Sequence, residues 1–392
     1  MKYFQENIIL KNLVKYLMRF AEIIKIQINK RVLNLLRNLI FSLFTIAFFM
    51  IFVNFLSWFG LRMLKRPTLE TRHLLPVYKD SKYAKLIFDE FNGLQTQYKS
   101  YIEWQRKPYN GITVHIDENG QRYDPKRLNI RGQKQVYFFG GSTMWGTGVD
   151  DANTIPTLFK KTTNFNSYNV YNLGESGYDS RQTLEALINL LNTGTQIDIA
   201  VFYFGVNEIN LCRKAISINS HIYENTFNEK IRTEISYPKY LFFGNIELLW
   251  SFFFKKNNNS SDDYDFECDC NSVKLEKIIN SISNNLSIMK YLVEKNGGQF
   301  YAILQPVLYF RNPEKSHLRN YLNNVNKKEE LNFKILFKSI LKEKQGEIPY
   351  LYDFTKIFDN KRYIYIDFCH VGNEGNLIVA KKIDSLLASK NY

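Results

Sequence analysis

Apolar positions in the first third of the chain recur with helical spacing and then close into an unbroken run. Ile9, Leu13, Leu17, Phe20, Ile24 and Ile28 fall on one stripe, with Lys11, Lys15, Arg19, Lys25 and Lys30 between them. This predicts a basic amphipathic helix over 8–36, suited either to the headgroup plane of an anionic leaflet or to the protein's own surface. Residues 39–61 then carry no charge, and a spanning helix needs about 20 such residues. Arg37 and Arg62 bracket the run and Trp58 lies near one end, as at a membrane interface. A secretory signal has a shorter apolar core, closer to the first residue, and a small-residue cleavage site. A retained single-pass anchor is therefore expected.

From Gln135 onward the pattern switches between periods. Strands are predicted over 136–139, 167–173, 197–204, 298–304 and 349–354, and helices over 181–192, 272–295 and 374–390. Alternating β and α elements imply a parallel sheet with helices on both faces. The chain thus divides into a basic amphipathic segment (1–38), a transmembrane helix (39–61), a juxtamembrane section (62–134) and an α/β domain (135–392). The juxtamembrane section is punctuated by Pro67, Pro76, Pro108 and Pro125. Its Tyr101, Trp104 and Tyr109 offer apolar surface for packing on the core, but no chemistry of its own. An insertion over 211–270 interrupts the alternation. It holds an aromatic run over 240–254, read as packing or as a lid, substrate wall or membrane-dipping element, and then a polar stretch. Residues 257–263 are expected to be a mobile loop, with Asn-x-Ser triplets of the glycosylation type.

Composition changes this picture at two points. The net charge of +14 and pI near 9.3 invite a nucleic-acid reading, but the charge is unevenly placed. Residues 1–38 carry +6 and residues 62–134 carry +7, leaving the α/β domain near neutral. Anionic membrane lipids are a sufficient partner for such flanks, and a nucleic-acid enzyme is disfavoured. Four cysteines make no framework: Cys268 and Cys270 are too close to bond each other well, and no spacing resembles a zinc site. They are read as ordinary thiols, an oxidised pair staying open should the domain lie outside the cytosol.

Four short blocks carry candidate chemistry. The strand over 136–139 runs into Gly140-Gly141-Ser142, which places a serine hydroxyl and its own N–H at the mouth of the sheet. After the next strand comes Gly174-Glu-Ser-Gly177, where the Gly177 N–H is free to face an oxyanion. Gly205-Val-Asn207-Glu208 follows the third strand and offers a side-chain amide for the same purpose. Near the C-terminus, Asp367-Phe-Cys-His370 sets a carboxylate three residues before an imidazole, a spacing that lets Asp367 hold the ring while its other nitrogen faces Ser142. No metal or organic cofactor is indicated.

Taken together and in this order, the four blocks resemble the SGNH/GDSL hydrolase superfamily over residues 135–392. The resemblance implies a flavodoxin-like three-layer α/β/α sandwich and a serine-esterase site. By it, Ser142 is the nucleophile, His370 the base and Asp367 its orienting acid, with Ser142 N–H, Gly177 N–H and the Asn207 amide as the oxyanion hole. Two positions depart from the family's pattern: Gly141 and Glu208 each stand where many members have Asp. The residue two after Ser142 is Met144, so the Gly-x-Ser-x-Gly elbow of α/β-hydrolases is not matched.

These readings converge on a membrane-anchored esterase that removes O-acyl groups, acetyl above all, from a carbohydrate or related ester through an acyl-serine. Transfer of the acyl group to a cell-surface polysaccharide is an alternative, as is lipid ester hydrolysis. A catalytically silent binding protein of the same fold is the reading from another class. Local charge on either side of the apolar run does not decide orientation. The short basic tail favours a cytoplasmic N-terminus and an extracytoplasmic domain.

Overall fold

The structure, a computed structural model, describes residues 14–16, 30–64, 70–126, 129–162, 168–224, 227, 245–246 and 265–389. It separates into two compact units, one containing residues 30–64 and the other residues 70–224 and 265–389.

The first unit holds helix α1, Lys30–Leu64. It is longer than the uncharged run 39–61, because Leu33, Leu35 and Leu36 extend the apolar surface upstream and no breaker intervenes. Its stretch Val32–Met63 is long and apolar enough to cross a membrane, by length and composition, a test that a signal sequence near an N-terminus also passes. The hydroxyls of Thr45 and Ser57 donate to the carbonyls of Phe41 and Val53, which hides the polar groups along this surface. Most of the stripe over 8–36 lies outside the described residues.

The second unit is built on a five-stranded parallel sheet: β5 (Lys134–Gly140), β6 (Tyr168–Gly174), β7 (Ile199–Phe204), β8 (Gln299–Leu304) and β9 (Leu351–Asp353). Their order in space is β6-β5-β7-β8-β9, so the second strand in sequence lies outside the first and the third on its other side. That is the flavodoxin-like order, with its switch point between β5 and β7. Consecutive side chains of a strand point to opposite faces. Phe138 meets Phe159 of α4 (Ile155–Thr162) on one face, while Phe139 stacks on Phe202 at 4.7 Å on the other. Both faces need helices, and they have them. Helix α4 packs with α8 (Asn373–Ala388), and α5 (Ser180–Leu191) packs with α6 (Ser272–Lys295). Central β7 is buried along its whole length. The three-layer α/β/α sandwich expected from the sequence is the observed fold.

The elements expected after Gln135 are all present, with ends moved by a residue or two. Helices α2 (Ser81–Gly93), α4 and α7 (Lys327–Glu343) were not foreseen. Residues from 70 onward fold into the same unit as the sheet, including two antiparallel pairs: β1 (Thr96–Lys99) with β2 (Glu103–Arg106), and β3 (Tyr109–Asn110) with β4 (His115–Ile116).

One expectation is corrected. Cys212 and Cys268 are not ordinary thiols but form a disulfide, while Cys270 and Cys369 are free. The pairing was hidden because 56 residues separate the partners. The two ends of the insertion run side by side: Lys214 N–H donates to Asp265 at 2.8 Å and Glu267 N–H to Cys212 at 2.9 Å. The aromatic run and the Asn-rich stretch lie almost wholly outside the described residues. Closing a loop of this length stabilises the fold by about 4 kcal/mol in the chain-entropy account. Cys212→Ser with Cys268→Ser should lower unfolding free energy by a comparable amount in denaturant titration, and an unchanged midpoint would contradict that constraint.

Candidate active site

Residues Gly140, Gly174 and Tyr203 stand in register across β5, β6 and β7. The segments that follow these strands therefore leave the sheet at one edge, beside the switch point, where open α/β sheets bind ligands. Strand β5 ends in a position that only glycine fits: Gly140 has φ +154°, and a Cβ there would lie 2.4 Å from the Tyr203 carbonyl oxygen. The chain then turns into a single helical turn, α3, Ser142–Trp145.

This turn is held from below. Arg122, fully buried, donates to the carbonyls of Gly146 and Val149 at 2.7 Å each and to Asp151 at 2.7 Å. The Asn172 amide donates to Met144 O at 3.2 Å, and Thr143 Oγ1 to Gln305 at 2.9 Å. Ser142 is thus fixed by a strand end, a buried cation and two side-chain bonds.

Ser142 Oγ lies 2.7 Å from His370 Nε2, and His370 Nδ1 lies 2.8 Å from Asp367 Oδ2 and 3.0 Å from Oδ1. Asp367 also builds the turn that carries the histidine: its Oδ1 accepts the N–H groups of Cys369 and His370 at 3.0 and 2.8 Å. Burial pushes this carboxyl up. The His370 imidazole, its ring hydrogen bond and the backbone donors outweigh that and hold it well below the usual carboxylate range. With an ionised Asp367 on Nδ1, the proton of a neutral imidazole belongs there, and Nε2 is left to accept from Ser142.

The Asn207 amide donates one N–H to Tyr178 O at 2.7 Å, which leaves a second N–H on the same nitrogen. That nitrogen sits against Gly141, where an added Cβ would lie 2.3 Å from it. Glycine at 141 makes room for the amide beside the serine. Glu208 secures the same loop by accepting from Ser180 N–H at 2.8 Å and Gly205 N–H at 2.9 Å. Burial, with Asp179 nearby, pushes its carboxyl up to about 7. Among the described residues neither Ser142 N–H nor Gly177 N–H donates to another protein group.

The loop bearing Gly177 is braced by residues the sequence did not mark as functional. Glu175, buried, accepts from Arg106 N–H at 2.8 Å and Ser176 N–H at 2.7 Å, with the Arg106 guanidinium 3.4 Å away. Trp104 Nε1 donates to Ser176 O at 2.9 Å, and the Tyr178 hydroxyl donates to Trp104 O. Hairpin β1–β2, from the section read as having no chemistry, therefore shapes one side of the site. Nothing local signalled this beyond the apolar character of Trp104.

Asp367, Cys369 and His370 bring a carboxylate oxygen, a thiol and a ring nitrogen within 4.8 Å of one another. Both imidazole nitrogens already face Ser142 and Asp367, and burial pushes the Cys369 thiol well up, so this donor set does not suit a cation. Two cavities, of about 680 and 530 Å³, open beside the residues that brace the site: one around His115, Arg122 and Lys126, the other around Gln105, Glu175 and Tyr178. Neither is lined by Ser142 or His370, and bonding geometry, rather than concavity, locates the site.

No family model matches the sequence, and no curated protein matches it significantly. Solved structures to which the chain is similar include Est24, a carbohydrate acetylesterase from Sinorhizobium meliloti, at 11% identity and TM-score 0.37, covering 66% of this chain and 99% of that one. The inhibitor-bound form of an aryl esterase from M. smegmatis is 10% identical with TM-score 0.38, over 65% of this chain and 99% of the other. A member of the lipolytic protein G-D-S-L family from Veillonella parvula is 10% identical with TM-score 0.36, over 64% and 95%. The strand order, with four blocks at one edge of the sheet, is the three-layer arrangement that the SGNH/GDSL resemblance implies.

Proposed function

We propose that the protein is a serine esterase acting through an acyl-serine, and that its substrate is an O-acylated, above all O-acetylated, carbohydrate. The hydrogen-bonded chain from Ser142 Oγ through His370 to Asp367 carries the reading. Ser142 Oγ attacks the ester carbonyl while His370 Nε2 takes its proton, and Asp367 steadies the resulting imidazolium. Ser142 N–H, Gly177 N–H and the second Asn207 N–H receive the oxyanion. Collapse expels the alcohol, protonated by His370, and water repeats the sequence on the acyl-serine.

Helix α1 supports an anchored enzyme. The Cys212–Cys268 disulfide supports a domain in an oxidising compartment, outside the cytosolic face. Residence at a bilayer also favours a second reading, in which a sugar hydroxyl replaces water as acceptor. The same residues serve both.

The test is to incubate the full chain with a fluorophosphonate and, separately, an aryl acetate. A phosphonyl adduct on the Ser142 peptide by mass spectrometry, with acetate release, is expected. A folded chain that neither labels nor turns over would favour the silent binding protein. Free acetate against acetylated acceptor separates hydrolysis from transfer. Gly141→Ala probes the oxyanion assignment. Its Cβ displaces the Asn207 amide, so kcat/KM should fall by about 10²–10³, the loss typical of one such donor, with little change in Tm. An alanine variant as active as wild type would remove Asn207 from the hole.

A further inference from the structure

Asp367 is a buried anion with more partners than its histidine. Oδ1 takes the two backbone N–H groups, and Oδ2 accepts from His370 Nδ1 and also from Arg72 Nη1 at 3.2 Å. Arg72 is itself held in place. Its Nε and Nη2 donate to Glu70 at 3.0 and 2.7 Å, and its guanidinium carbon lies 4.6 Å from the ring centre of buried Phe88. The side chain is about 29% exposed, so the pair with Asp367 is only partly screened.

Arg72 is 295 residues from Asp367 in the chain and follows the apolar helix by a short stretch in sequence. The segment it opens is seated against the site from both sides. Tyr78 OH donates to the carbonyl of Gly148, in the loop after the serine turn, at 2.8 Å. Val77 Cγ1 lies 2.2 Å from where a Cβ on Gly372 would sit, just after His370. This segment therefore touches the chain next to the nucleophile and next to the base.

We propose that Arg72 is a positioning residue of the Ser142–His370–Asp367 site, acting through Asp367: its guanidinium fixes the carboxylate against His370 Nδ1 and sets a permanent positive charge behind it. What the site is used for rests on the esterase reading; the contact does not. The charge shares the carboxylate with the imidazolium formed when His370 takes the Ser142 proton, and so opposes that cation. The other groups facing the pair do not replace this charge. Glu70 is neutralised by Arg72, and His73 flanks Glu70. Tyr78, Tyr309, Tyr321 and Cys369 are pushed up by burial and stay uncharged near neutrality, and Glu329, pushed up from its usual range, faces Cys369.

The experiment uses the full chain in nanodiscs with ¹⁵N-labelled histidine. The sequence holds five histidines, and the His370 signal is assigned by its loss in His370→Gln. Arg72→Gln should move the His370 titration midpoint up by about 0.5–1 pH unit, and Arg72→Lys should restore it. Glu70→Gln, which frees the guanidinium charge, should move it down. Opposite shifts from two neighbouring variants are not produced by loosened packing. The acidic limb of the fluorophosphonate labelling rate should follow the same shifts. If Arg72→Gln titrates like wild type, the proposal is overturned, whether or not the chain is active. If the midpoints move but no chain labels, Arg72 keeps its role and the hydrolase reading falls.

Discussion

Ser142→Ala is expected to lower kcat by about 10⁶ while leaving KM close to its wild-type value and the fold intact. Ser142 makes no packing contribution that alanine would not, since its turn is held by Arg122, Asn172 and Thr143 rather than by its own hydroxyl. The variant loses the atom proposed to form the covalent bond, and Cys369 does not replace it, since it is buried and its thiol is pushed well up. Groups that act as one unit are not additive, so Ser142→Ala with His370→Ala should be no slower than either alone. Burst kinetics and probe labelling check this. Turnover within about tenfold of wild type would mean that the acyl-serine does not form, because residual catalysis from the remaining donors lies far lower.

Asp367→Asn is expected to cost about 10⁴ in kcat. An asparagine fills the same space and its oxygen can still accept from Cys369 and His370 N–H, so the turn survives. Its amide nitrogen then takes the Oδ2 position and faces both His370 Nδ1 and Arg72. It donates to Nδ1 where the carboxylate accepted, so the ring proton moves to Nε2, which can no longer take a proton from Ser142. It also leaves the guanidinium beside an amide donor, and the proposed base is lost. Asp367→Glu should be less damaging, since it restores an acceptor with a shifted reach. Equal loss in both variants, with normal thermal melts, would mean that the carboxylate's charge is not what His370 requires.

Much of this was legible in the sequence, and the boundary between legible and hidden is physical. Gly140-Gly141-Ser142 after an apolar run, and Asp367 three residues before His370, are local patterns. The same few residues both make the turn and carry the proposed chemistry, so their spacing announces them. The parallel sheet with helices on both faces followed from the β/α alternation, and the flavodoxin-like arrangement from the SGNH/GDSL resemblance. What stayed hidden was long-range. Arg72 reaches Asp367, Arg106 reaches Glu175 and Arg122 reaches Gly146 from a section whose polar residues look like any solvated surface in sequence. A buried arginine cannot be told from an exposed one until its carbonyl and carboxylate partners are placed. The Cys212–Cys268 pair was missed for the same reason. Helix α7 was overlooked although Phe333, Leu336, Phe337 and Ile340 repeat at helical spacing and Asn326 caps it.

The disulfide has a consequence for how such a chain can change over time. Cys212 and Cys268 bring the two ends of the insertion to a Cα separation of 5.2 Å, so the excursion leaves and rejoins the sheet unit at nearly one point. A tied-off loop of this kind can be lengthened, shortened or exchanged with little penalty, since doubling its length adds only about 0.6 kcal/mol of closure entropy. Not all of the stretch between the cysteines is equally free: Ile216 packs into the core, and Ile222 packs beside Trp104 and Tyr178, next to the loop that carries Gly177. Changes of length near those residues would reach the site, whereas changes farther along the tie cost little in closure entropy.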